Sequence, residues 1–189
     1  MEWRAHVACW CATQALKLQG DFVECGVGRG LLSKTIVSYI DFEKHQDRKF
    51  LLVDTYEGLA REQMSESEQK RDIVKQMGTL YKNNYDRVAN VFKEYPNVSL
   101  LKGVVPTILT QVKIEQVAYL SIDMNNAKPE IEAAKYFWPK LVKGGMVLLD
   151  DFVYGVEFYE QTEAFLKFAK EVGHEILVLP TGQGLLIKQ

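Results

Sequence analysis

The chain reads as a doubly wound α/β sheet closed by an antiparallel hairpin. Three observations carry that reading. Short β-rich runs alternate with longer stripes of helical period. Those runs are continuously apolar, as strands covered on both faces of a parallel sheet must be. The chain then ends in two such runs joined by five loop residues, which is hairpin spacing.

In chain order, Val7, Cys11, Ala15 and Leu18 form a helical stripe ahead of the first strand, residues 21–25. A glycine loop follows, and then Leu32, Ile36, Val37 and Ile40 share one helical face. The second strand is residues 49–54. Residues 61–78 fit least well, because 61–72 is polar on nearly every face; a solvated helix or surface loop is the plain expectation and a lid over a ligand the sharper one. Tyr85, Val88, Phe92 and Tyr95 make a third stripe, ahead of strands at 98–101 and 117–123. Pro129 suits a helix's first turn, and Ile131, Ala134, Phe137, Trp138 and Leu141 trace its buried side toward a fifth strand at 146–150. Phe158, Phe165, Leu166, Ala169 and Val172 form the last stripe, opposed by Glu160, Glu163, Lys167 and Lys170 and stopped by Gly173. Residues 175–179 and 185–188 flank the loop Pro180-Thr181-Gly182-Gln183-Gly184.

Composition narrows the function classes. With 189 residues and 47% apolar, residues 1–189 make a single domain able to build a core without disulfide or metal staples. Repeats and linkers are absent. A net charge of −2, with Lys and Arg scattered, gives no footprint for a nucleic acid. The N-terminus lacks a signal-type apolar core and no apolar run approaches a bilayer's thickness, so no membrane association and a cytoplasmic location are expected. Cys9, Cys11 and Cys25 show no metal or redox spacing and are expected to be reduced and buried; a reactive Cys25 beside the glycine loop is the alternative.

In an open α/β sheet the ligand lies beyond the carboxyl ends of the strands, and four such ends carry suggestive residues. The first gives Glu24-Cys25-Gly26-Val27-Gly28-Arg29-Gly30, whose glycines permit a tight turn and close backbone approach to a ligand, or simply join strand to helix. A dinucleotide fingerprint wants a small residue at position 31, where this chain has Leu31, and a phosphate-binding G-x-x-x-x-G-K-[ST] is absent. An acidic strand residue followed by G-x-G-x-G is the pattern of S-adenosylmethionine methyltransferases. Asp54 ends the second strand, where a carboxylate can accept both ribose hydroxyls or cap a helix. Asp123-Met124-Asn125-Asn126 and Asp150-Asp151 end the fourth and fifth. Their three carboxylates make a hard-cation site for Mg²⁺, with helix or turn capping as the alternative.

Together these residues resemble the macrocin O-methyltransferase (TylF/MycF-type) family of class I S-adenosylmethionine methyltransferases, over about Gly20 to Lys188. The most specific segments are Gly20-Asp21-Phe22-Val23-Glu24-Cys25-Gly26-Val27, Val53-Asp54-Thr55-Tyr56-Glu57-Gly58-Leu59, Pro139-Lys140-Leu141 with Gly144-Gly145 leading into Asp150-Asp151, and Leu179-Pro180-Thr181-Gly182-Gln183-Gly184. The resemblance implies a Rossmann-like sheet of order 3-2-1-4-5-7-6 with an antiparallel last strand. It implies that Glu24, Gly26, Val27 and Gly28 line the methionine side of the cofactor, that Asp54 and Thr55 hold its ribose, and that Lys102-Gly103-Val104 runs near the adenine. Asp123 completes the cofactor set and joins Asp150 and Asp151 on Mg²⁺. The usual fourth-strand D-x-D is here Asp123-Met124-Asn125; Asn125 offers a neutral oxygen but cannot take a proton. Asp123 and Lys128 are therefore the base candidates, with Lys128 also readable as a solvent-facing lysine. His6, His45 and His174 lie away from the strand ends.

The expected activity is a Mg²⁺-assisted O-methyl transfer to a hydroxyl of a small molecule, a sugar or glycosylated metabolite by family analogy. A non-catalytic cofactor-binding relative and an NAD(P)-dependent oxidoreductase are the rivals, and a homodimer is left open. Only about one helix, residues 1–19, precedes the first strand, where relatives carry a longer segment over the active site. A pared-down or truncated member is expected, its acceptor pocket closed by residues 59–82, by a partner subunit, or not at all.

Overall fold

The computed structural model describes residues 2–70 and 82–189. Seven strands form one sheet: β1 (Asp21–Cys25), β2 (Phe50–Asp54), β3 (Val98–Lys102), β4 (Val117–Ile122), β5 (Leu141–Leu149), β6 (Leu177–Val178) and β7 (Gly184–Ile187). Their order is β3-β2-β1-β4-β5-β7-β6, parallel except for β7, which runs antiparallel to both neighbours. Topology, order and the terminal hairpin are thus as the sequence implied. The order places β1 and β4 side by side at the centre, where the winding reverses, and so opens a crevice at their carboxyl ends.

Six helices cover the sheet among the described residues: α1 (Glu2–Ala15), α2 (Leu31–Tyr39), α3 (Glu66–Lys70), α4 (Tyr85–Phe92), α5 (Ala127–Phe137) and α6 (Tyr159–Glu171). On one face α1, α2 and α4 pack over Phe22, Phe50, Leu52, Tyr119 and Leu148. On the other, α5 and α6 pack over Val23, Val53, Leu120 and Val147. Alternation along β1 sends Phe22 to the first core and Val23 to the second, the period-two rule of a strand. Phe22 is fully buried and anchors an aromatic cluster, with ring centroids 5.2 Å from Phe42, 5.9 Å from Phe50 and 5.6 Å from Tyr119.

Several boundaries differ from the sequence reading. β5 begins at Leu141 rather than 146, so Gly144-Gly145 lies inside a strand, with Gly144 at φ +81°. Asp21 pairs with Val117 but Phe22 with Tyr119, so Ala118 is an extra residue in β4, and the register with β5 shifts at the same place. β6 keeps only two residues, because it is an edge strand whose Leu177 and Val178 face solvent. Of the expected last stripe, Phe158, Phe165 and Ala169 are buried and Val172 packs on the core, but Leu166 is exposed and α6 buries Gln161 and Phe168 in addition. In 61–70, Met64 and Glu68 are buried, so this stretch is not solvated on every face. The remainder of the expected lid, 71–81, lies outside the described residues.

The stop at Gly173 is as read. Gly173 sits at φ +70°, its N–H donates to the Lys170 carbonyl (3.2 Å), and the His174 N–H donates to the Ala169 carbonyl (2.9 Å), the paired bonds of a Schellman end. Nothing lies within 4 Å of where a Cβ would stand, so Gly173→Ala introduces backbone strain alone. It should cost about 1–2 kcal/mol and lower the melting temperature by about 2–8 °C. Phe22→Ala, which opens a cavity in the aromatic cluster, should cost about 3–5 kcal/mol in denaturant titration.

Candidate active site

Beyond the carboxyl ends of the central strands lies a cavity of about 1000 Å³, large enough for a nucleoside-sized ligand with an acceptor beside it. Glu24, Gly26, Val27, Gly28, Asp54, Thr55, Gly103, Asp123 and Asp150 all line it, so the strand-end residues singled out in the sequence converge on one space. Lys128 and Asp151 are not among the lining residues. Lys128 is exposed on α5, which leaves Asp123 as the base candidate facing the cavity.

The glycine loop is shaped by crowding. Gly26 has φ +91°, and a Cβ there would stand 1.8 Å from the Asp123 carbonyl oxygen. No side chain fits, because the chain leaving β1 passes directly against the end of β4. The Gly26 N–H donates to the Val53 carbonyl (2.9 Å), and the Asp123 N–H donates to the Cys25 carbonyl (2.8 Å). Asp54 then holds the loop from the β2 side: its Oδ2 accepts the N–H groups of Val27 (2.6 Å) and Gly28 (2.9 Å), and its Oδ1 accepts the Tyr56 N–H (2.6 Å). Asp54 is therefore a brace for the loop as well as a residue that faces the cavity. Carboxylate oxygens keep further lone pairs for a ligand in the cavity.

The electrostatics are dominated by buried acids. Glu24 is 2% exposed, and its Oε2 has no hydrogen-bond partner among the described residues. Burial pushes its pKa up to about 8, with Asp150 and Asp54 adding repulsion against a lowering contribution from Ser33. Burial, followed by Asp150, Asp151, Glu130 and Glu24, holds Asp123 well above the usual carboxylate range. Glu130, on α5 behind the cavity, is raised to about 8 by burial and by Asp151, while its Oε1 accepts the Met124 N–H (3.0 Å). Cys25 is buried, its thiol is pushed up by burial, and it does not line the cavity, so the reactive-cysteine alternative has no support. The histidines also lie off the cavity.

The expected Mg²⁺ ligands meet an arginine instead. Arg4 Nη1 donates to Asp150 Oδ2 (2.7 Å), while its Nη2 donates to Asp151 Oδ1 (2.8 Å) and the Asp150 carbonyl (2.5 Å). Asp150 Oδ1 accepts from Gln183 Nε2 (2.9 Å), and Asp123 Oδ1 accepts from Asn125 Nδ2 (3.0 Å). Hard oxygen donors are present, but N–H donors already engage them, and no group of three or more His, Cys, Asp or Glu among the described residues is arranged to hold a metal. In this arrangement the residues do not fit a divalent ion.

Sequence reasoning missed Arg4, for which no local motif exists. It also missed Glu68, although Ser65-Glu66-Ser67-Glu68 spells a capping box: the Glu68 N–H donates to Ser65 Oγ (3.1 Å) and the Ser65 N–H to Glu68 Oε2 (2.9 Å). Glu68 Oε1 further accepts the N–H of Ala127, at the start of α5 (2.8 Å). Glu2, Trp3, Arg4 and Ala5 of α1 line the cavity beside Leu59, Ala60 and Gln63, so the N-terminal helix itself helps to cover it.

Similarity to solved structures supports the fold. The O-methyltransferase NovP superposes with a TM-score of 0.83 at 20% identity, covering 98% of this chain and 79% of that one. CalS11, a calicheamicin methyltransferase, gives 0.79 at 17%, covering 97% and 77%; its apo structure is described as that of a TDP-rhamnose 3′-O-methyltransferase. The S-adenosylhomocysteine-bound methyltransferase PaMTH1 of Podospora anserina gives 0.59 at 15%, covering 95% and 76%. No curated protein matches the chain. The sequence model of the macrocin-O-methyltransferase (TylF) family matches residues 7–177, from within α1 through β5 and α6, and the chain belongs to that family of S-adenosylmethionine-dependent O-methyltransferases.

Proposed function

We propose that this chain methylates a hydroxyl of a small molecule, a sugar or glycosylated metabolite, and that it does so as one domain spanning 1–189 with α1 and the stretch from Leu59 to Gln63 covering the cavity. The observation that carries the reading is the convergence of a buried, unpartnered Glu24 oxygen, the Gly26 cradle and the Asp54 brace on one cavity. Bound S-adenosylmethionine supplies a methyl group already activated by its sulfonium. Glu24, Gly26, Val27 and Gly28 take its methionine side, Asp54 and Thr55 its ribose, and Gly103 its adenine. A sugar acceptor is supported by the family's macrocin O-methyltransferase description and by CalS11, a TDP-rhamnose 3′-O-methyltransferase. The exposed rings of Trp3 and Tyr154, which line the cavity, offer flat faces for a sugar's C–H side.

The chain's own part is then to align the acceptor and receive its proton. Asp123 stands at the cavity floor with its basicity raised by burial and neighbouring acids, and is the proton acceptor in this reading. Asn125, in place of the second acid of D-x-D, donates its Nδ2–H to Asp123 Oδ1 and fixes the rotamer of that carboxylate. Mg²⁺ is given no role here, because the Asp150 and Asp151 oxygens are held by Arg4.

Calorimetric titration with S-adenosylhomocysteine should show binding whose affinity is unchanged by adding Mg²⁺; no heat under either condition would overturn the assignment. Asp54→Ala should weaken that binding by about 10–100-fold, the loss of charge-assisted hydrogen bonds worth about 1.5–3 kcal/mol. Glu24 adds a pH signature. Its pKa of about 8 means that it is mostly protonated at neutral pH. The ammonium of the ligand's amino-acid part favours the ionised form of Glu24, so binding below pH 8 should release up to about one proton. Affinity should rise with pH toward 8 and level off above it. Titration at pH 7 in buffers of different ionisation enthalpy reads that proton directly, and Glu24→Gln should abolish it.

A further inference from the structure

Two adjacent acids at the end of a buried strand need a counter-charge, and the chain brings its own. Asp150 and Asp151 have side chains only 11% and 9% exposed, and they stand near two more acids, Asp123 and Glu24. The Arg4 guanidinium reaches both members of the pair at 2.7 and 2.8 Å and also bonds the Asp150 carbonyl. Its far side is covered: the guanidinium carbon lies 4.2 Å from the centroid of the Tyr154 ring. A planar fork of donors suits two carboxylates in a way that a point charge does not. Gln183, buried in the terminal hairpin, fixes the remaining Asp150 oxygen, so the pair is oriented toward the helix rather than splayed toward solvent.

We infer that the Arg4 guanidinium is the resident cation of the Asp150-Asp151 pair and occupies the place a divalent ion would need, so that α1 and a metal are mutually exclusive occupants. The inference rests on the carboxylates and Arg4 alone; it survives or fails independently of the cofactor assignment, and its test reads metal binding rather than methyl transfer. One face of the cavity is then closed by a side chain from the N-terminal helix. Removing that side chain leaves four carboxylate oxygens with too few donors, which is the condition under which such a pair takes up Mg²⁺ or Mn²⁺.

The probe is Mn²⁺, followed through the electron paramagnetic resonance signal of the free ion and through the melting temperature. The unmodified chain should show no stoichiometric binding at millimolar Mn²⁺ and no shift in melting. Arg4→Met keeps an apolar stem but removes the charge; it should melt lower, bind one Mn²⁺ at least ten-fold more tightly than the unmodified chain, and regain stability on adding the ion. Asp151→Asn in the Arg4→Met background should remove that binding. Equal Mn²⁺ affinity with and without Arg4 would overturn the inference, and so would an Arg4→Met protein that binds no Mn²⁺. Should Arg4→Met not fold, Arg4→Lys carries the test, since one ammonium cannot span both carboxylates: Mn²⁺ affinity above that of the unmodified chain supports the assignment, and unchanged affinity refutes it.

Discussion

The contact between Gly26 and the Asp123 carbonyl sets the geometry of the whole site. Two parallel strands side by side bring their carboxyl ends together, but what lies between those ends depends on how closely the chains can pass as they leave the sheet. With no Cβ at Gly26, the loop after β1 lies directly on the end of β4. Asp54 pulls the same loop toward β2 through the N–H groups of Val27 and Gly28. The loop is thus drawn down onto the sheet from two sides, and the volume above it becomes the cavity. A bulkier residue at 26 would push the loop up into the space where a ligand must lie.

The charge distribution follows from that geometry. Converging strand ends concentrate Glu24, Asp54, Asp123 and Asp150 around one cavity, with Glu24 and Asp150 buried. Such a cluster disfavours full ionisation, and the raised pKa values of Glu24 and Asp123 express that cost. Arg4 offsets part of it at Asp150 and Asp151. The cost that remains is directed at the ligand space, where a positively charged group is the natural remedy. The acids at the strand ends thus favour a cationic group beside them, while Arg29, Lys34 and Arg87 also line the cavity.

The sheet was legible in the sequence because its signals are local. Continuous apolar runs mark strands whatever lies around them, and Gly173 and the terminal hairpin announce themselves by residue type. Errors fell where a neighbour decides the outcome. Ala118 is an ordinary strand residue whose bulge depends on two partner strands, and Leu166 is apolar but turned one position from the buried stripe of α6. The strand-end acids could be gathered into one place by topology alone, so most of the cavity was foreseeable. Arg4 was not: it lies 146 residues from Asp150 in the chain, and nothing in the α1 sequence distinguishes that arginine from a solvated one. Glu68 was readable as a capping residue, but its reach to Ala127 depends on where α3 comes to rest.

That reach makes Glu68 a splice between the starts of α3 and α5, with its Ala127 partner 59 residues away in the chain. One carboxylate serves the Ser65 N–H with one oxygen and the Ala127 N–H with the other. The turn it steadies runs from Asp123 to Asn126 and carries the acid at the cavity floor. Any displacement that lifts α3 off the body of the protein must strip a charged acceptor from the beginning of α5 in the same movement. The covering segment and the turn below it are therefore not two parts that can loosen separately, but one tethered unit whose slack is set by the length of a glutamate side chain.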